Sequence, residues 1–351
     1  MATRKEVAEL AGVSEATVSR VLNGVGPIKD ATRERVMEAA ARLGYQLNAV
    51  ASSFARGLSG NIGVVLPHVP KVHLFSTYYF SEILSGIGEA VRTGGHGLLL
   101  LYRDPGQPFD YVSLFRTRRV DACLVLGASS LPDEEAGIRA LAEEDVPFCV
   151  VDQRFGGLPV PAVIADHVSG SYVATRHLLA SGHARIGFLN GSPQYSNSAD
   201  RSQGYRMALT EEGIAWNEDI VYEGNYSRKS GYEAAARVAA DFDRLDAVLC
   251  GNDRMAIGLV QGLKERGFRL PYDLPIVGYD NADASSLIDP PLTTVEVPFY
   301  EMGLRAASRL LSRLGGGAED ASAGLEVLPT RLVVRKSCKT STPEAKESEN
   351  E

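Results

Sequence analysis

The sequence predicts an all-α helix-turn-helix headpiece joined to an α/β body of two doubly wound parallel-sheet lobes. Three observations carry this prediction. Residues 3–55 are largely polar and hold two short amphipathic segments around a tight break. Beyond residue 60, apolar runs of strand length alternate with helix-period segments, and this alternation occurs twice in series. A chain of 351 residues is long enough for a small headpiece and two lobes, each with its own core.

In the headpiece, Thr3 followed by Glu6 reads as a capping box, and Val7, Leu10 and Ala11 give the first helix an apolar stripe. Gly12-Val13-Ser14 is a tight break that supplies a new cap. The second helix runs from Glu15 through Leu22, with Val18, Val21 and Leu22 inward and Glu15, Ala16, Thr17, Ser19 and Arg20 outward. Two helices so closely spaced read as a helix-turn-helix whose second member is sized for a DNA major groove. A third helix, Asp30 to Leu43, places Val36, Ala39, Ala40 and Leu43 at core spacing. From the helices alone, a small bundle with no nucleic-acid role is an equally compatible reading.

The body opens with the strand Asn61 to Pro67. Helix Tyr79 to Arg92, strand Gly97 to Tyr102, helix Tyr111 to Thr117, strand Ala122 to Leu126, helix Pro132 to Glu143 and strand Pro147 to Asp152 complete a first run. A second run begins at Ala162 and passes through helices Ser169 to Ser181, Arg201 to Glu212, Ser230 to Ala240 and Met255 to Arg266. Its strands are Ala162 to Ile164, Ile186 to Leu189, Asp219 to Tyr222, Ala247 to Cys250 and Pro275 to Tyr279. Two such units share a cleft, the default place for a ligand. Gly315-Gly316-Gly317 with Glu319 and Asp320 reads as a surface loop, and the Ser, Thr, Glu and Lys of 339–351 as a disordered tail.

The net charge of −8 is unevenly spread: residues 1–60 hold eight basic and six acidic groups (+2), the rest 28 basic and 38 acidic (−10). That balance excludes a wholly electrostatic DNA binder but fits a modestly positive reading head on an acidic body, best used in pairs. Cys123, Cys149, Cys250 and Cys338 form neither a disulfide pattern nor metal-ligand spacing, and the first three lie in strand-like runs as buried thiols. The start lacks the pattern of a secretory leader and no apolar run reaches spanning length, so a cytoplasmic protein without membrane contact is expected. Neither nucleophile–base spacing nor a nucleotide-type Gly loop nor a metal cluster argues for an enzyme, and no cofactor or metal is expected.

The segments Gly12-Val13-Ser14-Glu15-Ala16-Thr17-Val18-Ser19-Arg20-Val21-Leu22-Asn23-Gly24, Thr32-Arg33-Glu34-Arg35-Val36 and Leu43-Gly44-Tyr45 closely resemble the headpiece of the lactose and galactose repressor (LacI/GalR) family. Asn48-Ala49-Val50-Ala51-Ser52-Ser53-Phe54 resembles its hinge, and the likeness continues to about Lys336. The resemblance implies a helix-turn-helix headpiece at 1–45, a hinge helix and linker at 46–60, and a periplasmic-binding-protein-like body. In that body, 61–161 with 291–324 would form the N-terminal lobe and 162–290 with 325–338 the C-terminal lobe.

By resemblance, Glu15, Ala16 and Arg20 occupy base-contacting positions: Arg20 can grip guanine bidentately, Glu15 can accept from cytosine and Ala16 can touch a thymine methyl. Thr3, Ser14, Thr17, Ser19 and Asn23 suit phosphate contact or capping. In the hinge, Asn48, Ala51 and Phe54 would meet the minor groove, Phe54 standing where the family has a wedging Leu; Leu47 replaces a Pro that usually starts the segment. Lys29 stands where the family has a capping Ser, which leaves Asp30 as the substitute cap.

For a small-molecule effector, the resemblance points to Arg201, Asn252 and Asp280 as ligand-binding residues with an aromatic at Tyr226 stacked on the ligand; Asp152 joins them at a strand end around the cleft, and Tyr79 with Phe80 can supply an aromatic face from the first lobe. Convergent acceptors, an Arg fork and one aromatic face suit a polyhydroxylated sugar. Asp253 can equally serve only to cap its helix. Two departures alter the pocket: Thr77-Tyr78 replaces the family's Asn-Pro, placing Tyr78 to fill part of it, and Ala199 stands where a further Arg is common.

The expected protein is thus a homodimeric regulator, a repressor of carbohydrate-use genes, that holds approximately palindromic double-stranded operator DNA and is released by a sugar-like effector. A corepressor-dependent regulator and a sugar-binding protein with no regulatory role are the alternatives.

Overall fold

The computed structural model describes residues 2–45, 58–70, 73–316 and 324–338. Asn48, Ala51 and Phe54, and the tail 339–351, lie outside the described residues.

In the headpiece α1 (Arg4–Ala11), α2 (Glu15–Asn23) and α3 (Asp30–Arg42) pack around Val7, Val18 and Val36, each wholly buried. The capping box forms as expected: Thr3 N donates to Glu6 Oε2 at 2.7 Å and Glu6 N to Thr3 Oγ1 at 3.3 Å. Gly12, at φ 65°, closes α1 in the left-handed conformation that glycine adopts without a Cβ penalty, and Ser14 Oγ then caps α2 by accepting from Thr17 N at 3.2 Å.

Three headpiece expectations need correcting. Leu10 is 44% exposed: the buried face of α1 is Val7, Ala8 and Ala11, and at 100° per residue Leu10 falls to one side of it. Leu43 follows the last turn of α3 as its cap residue and stays exposed at the rim. Asp30 is the first helical residue of α3 rather than its cap, so it favours the helix only through its charge near the positive dipole end.

The first lobe is built on a six-stranded sheet. Its strands are β1 (Asn61–Pro67), β2 (Gly97–Arg103), β3 (Ala122–Leu126), β4 (Phe148–Val151), β5 (Ala162–Ala165) and β11 (Leu325–Leu328), in the order β11-β5-β4-β3-β1-β2, all parallel. Every residue of β3 is fully buried, as a parallel strand covered on both faces must be. Helices α4 (Tyr78–Thr93), α5 (Tyr111–Arg116), α6 (Pro132–Glu143) and α12 (Phe299–Leu314) belong to this lobe; α12 returns from the other lobe to pack on α4, β3, β4 and β5.

The second lobe has the parallel order β7-β6-β8-β9 over β6 (Ile186–Asn190), β7 (Val221–Glu223), β8 (Ala247–Cys250) and β9 (Ile276–Val277). Around it lie α7 (His167–Ala180), α8 (Ser196–Glu211), α9 (Arg228–Ala240), α10 (Asp253–Glu265) and the short α11 (Asp283–Leu287). β10 (Thr294–Glu296) pairs antiparallel with β12 (Arg331–Val333) and bridges to the β9 edge through Val277–Thr293 and Asp280–Glu296.

The lobe boundaries therefore differ from the sequence expectation. Ala162 pairs with Val150 and Leu325 with Ala162, so β5 and β11 complete the first sheet instead of opening and closing the second, while β10 stays with the second lobe. Strand–helix alternation is identical on both sides of a crossover, and nothing local marks which sheet a strand joins. The chain crosses three times, after β5, between β10 and α12, and between β11 and β12. Two of these crossings run side by side: Asp166 N donates to Leu328 O at 2.8 Å and Thr330 Oγ1 to Asp166 O at 3.0 Å.

Candidate functional site

On α2 the expected reading residues Glu15, Ala16 and Arg20 are exposed, Ala16 and Arg20 on the side away from buried Val18 and Val21. Arg4 Nε donates to Glu15 Oε2 at 3.2 Å, tying the start of α1 to the start of α2. Thr3 and Ser14 serve as caps, Thr17 Oγ1 lies 3.0 Å from Ser14 Oγ, and Asn23 Nδ2 donates back to Ser19 O at 2.7 Å. These bonds lie within each helix and its own cap, and they leave Arg20 and Ala16 on the surface.

Between the lobes lies a cavity of about 220 Å³, and all seven residues expected to meet an effector line it. Most come from a strand end or the first turn after one. Tyr79 and Phe80 open α4, Asp152 follows β4, Arg201 sits on α8, Tyr226 lies between β7 and α9, Asn252 follows β8, and Asp280 follows β9. Asp152, Tyr226 and Asp280 have φ of 61°, 64° and 103°, values that side-chain-bearing residues seldom adopt. Pro67, Val69, Leu74 and Tyr78 add an apolar wall on the first-lobe side. Tyr78 and Tyr79 both meet Phe299 edge-on, with centroids 6.1 and 5.1 Å apart.

Arg201 is the hub. Only 3% exposed, it donates from Nη1 to Tyr226 Oη at 2.9 Å, holds Nη2 3.9 Å from Asp280 Oδ1, and lies 4.5 Å above the Tyr279 ring. Burial pushes the Asp280 carboxyl well above the usual carboxylate range, against the pull of Arg201. At Asp152 burial also opposes the charge, but His167, the Arg201 guanidinium and Asn197 together outweigh it and hold that carboxyl below its usual range, His167 Nε2 and Asn197 Nδ2 each standing 2.8 Å from a carboxylate oxygen. Burial pushes His167 down, against the pull of Asp152.

Two expected ligand residues have prior commitments. Asn252 spends its amide on the frame, Nδ2 donating to Tyr226 O at 3.1 Å and Oδ1 accepting from Met255 N at 2.9 Å as the cap of α10. Asp152 is held by His167 and Asn197. Asp253 does not cap α10; it accepts from Thr294 Oγ1 at 2.7 Å and Ala282 N at 2.8 Å, pinning β10 and a cavity-wall residue to the start of the helix.

Sequence reasoning missed Asn197, Ser198, His167, Tyr195 and Arg254. The first two escaped because α8 starts at Ser196, ahead of the expected start at Arg201. Its opening turn is wholly polar apart from Ala199, the signal that could have placed it at a ligand site. His167 lies 15 residues from Asp152, a pairing only the crossover after β5 creates.

The lobes touch across the cavity mouth. Ser130 N donates to Gln194 O at 2.8 Å, Ser196 N to Gln153 Oε1 at 2.9 Å and Arg154 N to Ser196 Oγ at 2.9 Å; Arg154 also pairs with Asp200. A small molecule in the cavity would touch both lobes, beside Tyr195 and Asn197 that flank the joining residue Ser196.

All four cysteines are buried and free, and burial pushes the Cys123 and Cys149 thiols up to about 12. Among the described residues there is no cluster of three potential metal ligands, and no helix is long and apolar enough to cross a membrane.

Comparison with known proteins now places the chain. Residues 3–48 match the model of bacterial regulatory proteins of the lacI family, and residues 175–338 that of the periplasmic binding protein-like domain. The HTH-type transcriptional repressor PurR of Mannheimia succiniciproducens is 32% identical over 341 residues, covering 97% of this chain and 99% of its own. The lac repressor dimer bound to operator and the anti-inducer ONPF superposes with a TM-score of 0.81 at 30% identity, over 96% of this chain and 99% of the other. A complex of the transcriptional regulator CelR with cellobiose gives 0.71 at 30% identity, over 96% and 100%. With relatives aligned end to end through both headpiece and body, the chain belongs to the LacI family of DNA-binding transcriptional regulators, a family not of enzymes.

Proposed function

We propose that this regulator is a cytoplasmic homodimeric repressor of carbohydrate-use genes that leaves an approximately palindromic operator when a sugar-like effector fills the interlobe cavity. One observation carries the effector half of this reading: seven residues scattered from Tyr79 to Asp280 line a single cavity shared by both lobes. A molecule held there changes the free energy of lobe closure by its differential contacts with the two lobes, and α12, β11 and the crossings join that motion to the lobe from which the headpiece extends. An inducing effector is preferred to a corepressor on the family resemblance.

In the DNA half of the reading, Arg20 reads guanine, Glu15 a cytosine amine and Ala16 a thymine methyl, while Thr3, Ser14, Thr17, Ser19 and Asn23 fix the register on the phosphates. Asn48, Ala51 and Phe54 enter the minor groove at the operator centre, with Phe54 as the wedge.

The test is selection of bound fragments from sheared genomic DNA by the full-length protein, followed by affinity measurement on the recovered duplex. Arg20→Ala is expected to weaken that duplex by roughly 10–100-fold, the worth of one bidentate base contact, and to change nonspecific affinity little. Equal affinity of the variant and the wild type for the selected duplex would overturn the assignment of α2 as the reading helix.

A further inference from the structure

Four acidic or basic side chains line the cavity, Asp152, Arg201, Arg254 and Asp280, and one of the two cations has no close anionic partner among the described residues. Arg254, in the first turn of α10, lines the cavity half-buried, and its hydrogen bond there is the long 3.4 Å contact from Nη1 to Thr77 Oγ1 across the cleft. Among the described residues no carboxylate stands within 4 Å of it; Asp280 faces it from farther away. Asp280 is already the nearest carboxylate to Arg201, and Asp152 is satisfied by His167 and Asn197. Arg201 thus has both Asp280 and Asp152 around it, whereas Arg254 has, among the described residues, only Asp280, at longer range. Arg201, deeply buried, also leaves its Nε–H without a partner among the described residues. A partly desolvated cation lacking a counter-ion, beside a buried donor lacking an acceptor, costs stability that a ligand can restore.

Resting on the effector reading above, we propose that the effector is an anionic sugar derivative whose carboxylate or phosphoryl group is seated by Arg254, with Arg201 as the second donor. Arg254 is the specificity-determining residue. Its guanidinium selects the charged member of a sugar series, while Tyr79, Phe80 and Tyr226 accept the apolar face of the ring. The cavity volume of about 220 Å³ suits a monosaccharide with one such group.

The test is calorimetry on the full-length protein with matched sets: glucose, glucuronate and glucose 6-phosphate; galactose, galacturonate and galactose 6-phosphate; ribose, ribonate and ribose 5-phosphate. Wild type, Arg254→Gln, Arg254→Lys and Asp280→Ala are titrated with each, after thermal melts confirm folding. A charged member is expected to bind about tenfold or more tighter than its neutral parent; Arg254→Gln should erase that preference and Arg254→Lys keep most of it. Whether the acid or the phosphate arm responds identifies the group. Neutral sugars that bind in an Asp280-dependent way while their charged counterparts bind no better, or a charge preference intact in Arg254→Gln, would overturn the anionic inference and leave the effector site standing. Silence from every compound, neutral and charged, would overturn both.

Discussion

Asp253 offers a quantitative test of how the second lobe is held together. Its carboxyl is wholly buried at the first position of α10, with one oxygen on the Thr294 hydroxyl and the other on the Ala282 amide. Burial is the dominant influence and pushes its pKa from an ordinary 3.8 up to about 7. Between those values the folded chain holds a proton that the unfolded chain has released. Its contribution to stability is therefore fully present below about pH 4, falls as pH rises, and is gone above about pH 7. One pKa unit is about 1.4 kcal/mol, so the loss between pH 5 and pH 8 is roughly 2–3 kcal/mol. In Asp253→Asn the side chain cannot titrate, yet its amide can still accept from Ala282 N and donate to the Thr294 hydroxyl. Between pH 5 and pH 8 the stability difference should therefore move by roughly 2–3 kcal/mol in favour of the Asp253→Asn variant, because only the wild type loses this contribution. Urea unfolding at pH 5, 6, 7 and 8 would measure it, read from the fluorescence of the sole tryptophan, Trp216, which packs against Tyr205 in the same lobe. Buried carboxyls that do not interact with Asp253 titrate in both proteins and cancel in the difference; Asp280, which the Asp253 charge pushes further up, adds to it in the same direction. Parallel pH profiles for the two proteins, within about 0.5 kcal/mol, would refute the reasoning and show that its two donors keep Asp253 ionised throughout.

Two further outcomes follow from the geometry and from the proposed DNA mechanism. At Gly191 a Cβ would stand 2.0 Å from the Tyr226 ring, which Arg201 and Asn197 hold in place, so Gly191→Ala should cost about 1–3 kcal/mol in urea unfolding. The same change in a Tyr226→Ala background should cost little, and equal costs in both backgrounds would show that the ring is not the obstacle. Phe54→Ala is expected to weaken the selected operator by about tenfold while changing nonspecific affinity by less than about twofold, because a wedge acts only where the duplex centre deforms. Equal losses on both duplexes, measured by fluorescence anisotropy, would remove that role.

Local signals were sufficient wherever a few neighbouring residues decide the outcome. The Thr3–Glu6 box, the Ser14 cap, the buried strand Ala122–Leu126 and the helix Pro132–Glu143 were all legible, since caps, periodicity and apolar runs act over one or two turns. The family resemblance, carried by spaced motifs, went further: the four residues it implied and the three added from strand ends and aromatic character share one cavity. Tertiary structure alone decided which sheet each strand joins. Ala162–Ala165 went to the first lobe because its partners are β4 and β11, and β11 arrives only after the whole second lobe has been traversed. It also decided how the site residues are used: His167 claims Asp152, Asn252 caps a helix, and Arg254 is left facing the cavity without a close counter-ion among the described residues. Hydrogen bonds and charge balance depend on which side chains the crossovers bring together, and that information is distributed over the whole chain rather than written in any one stretch of it.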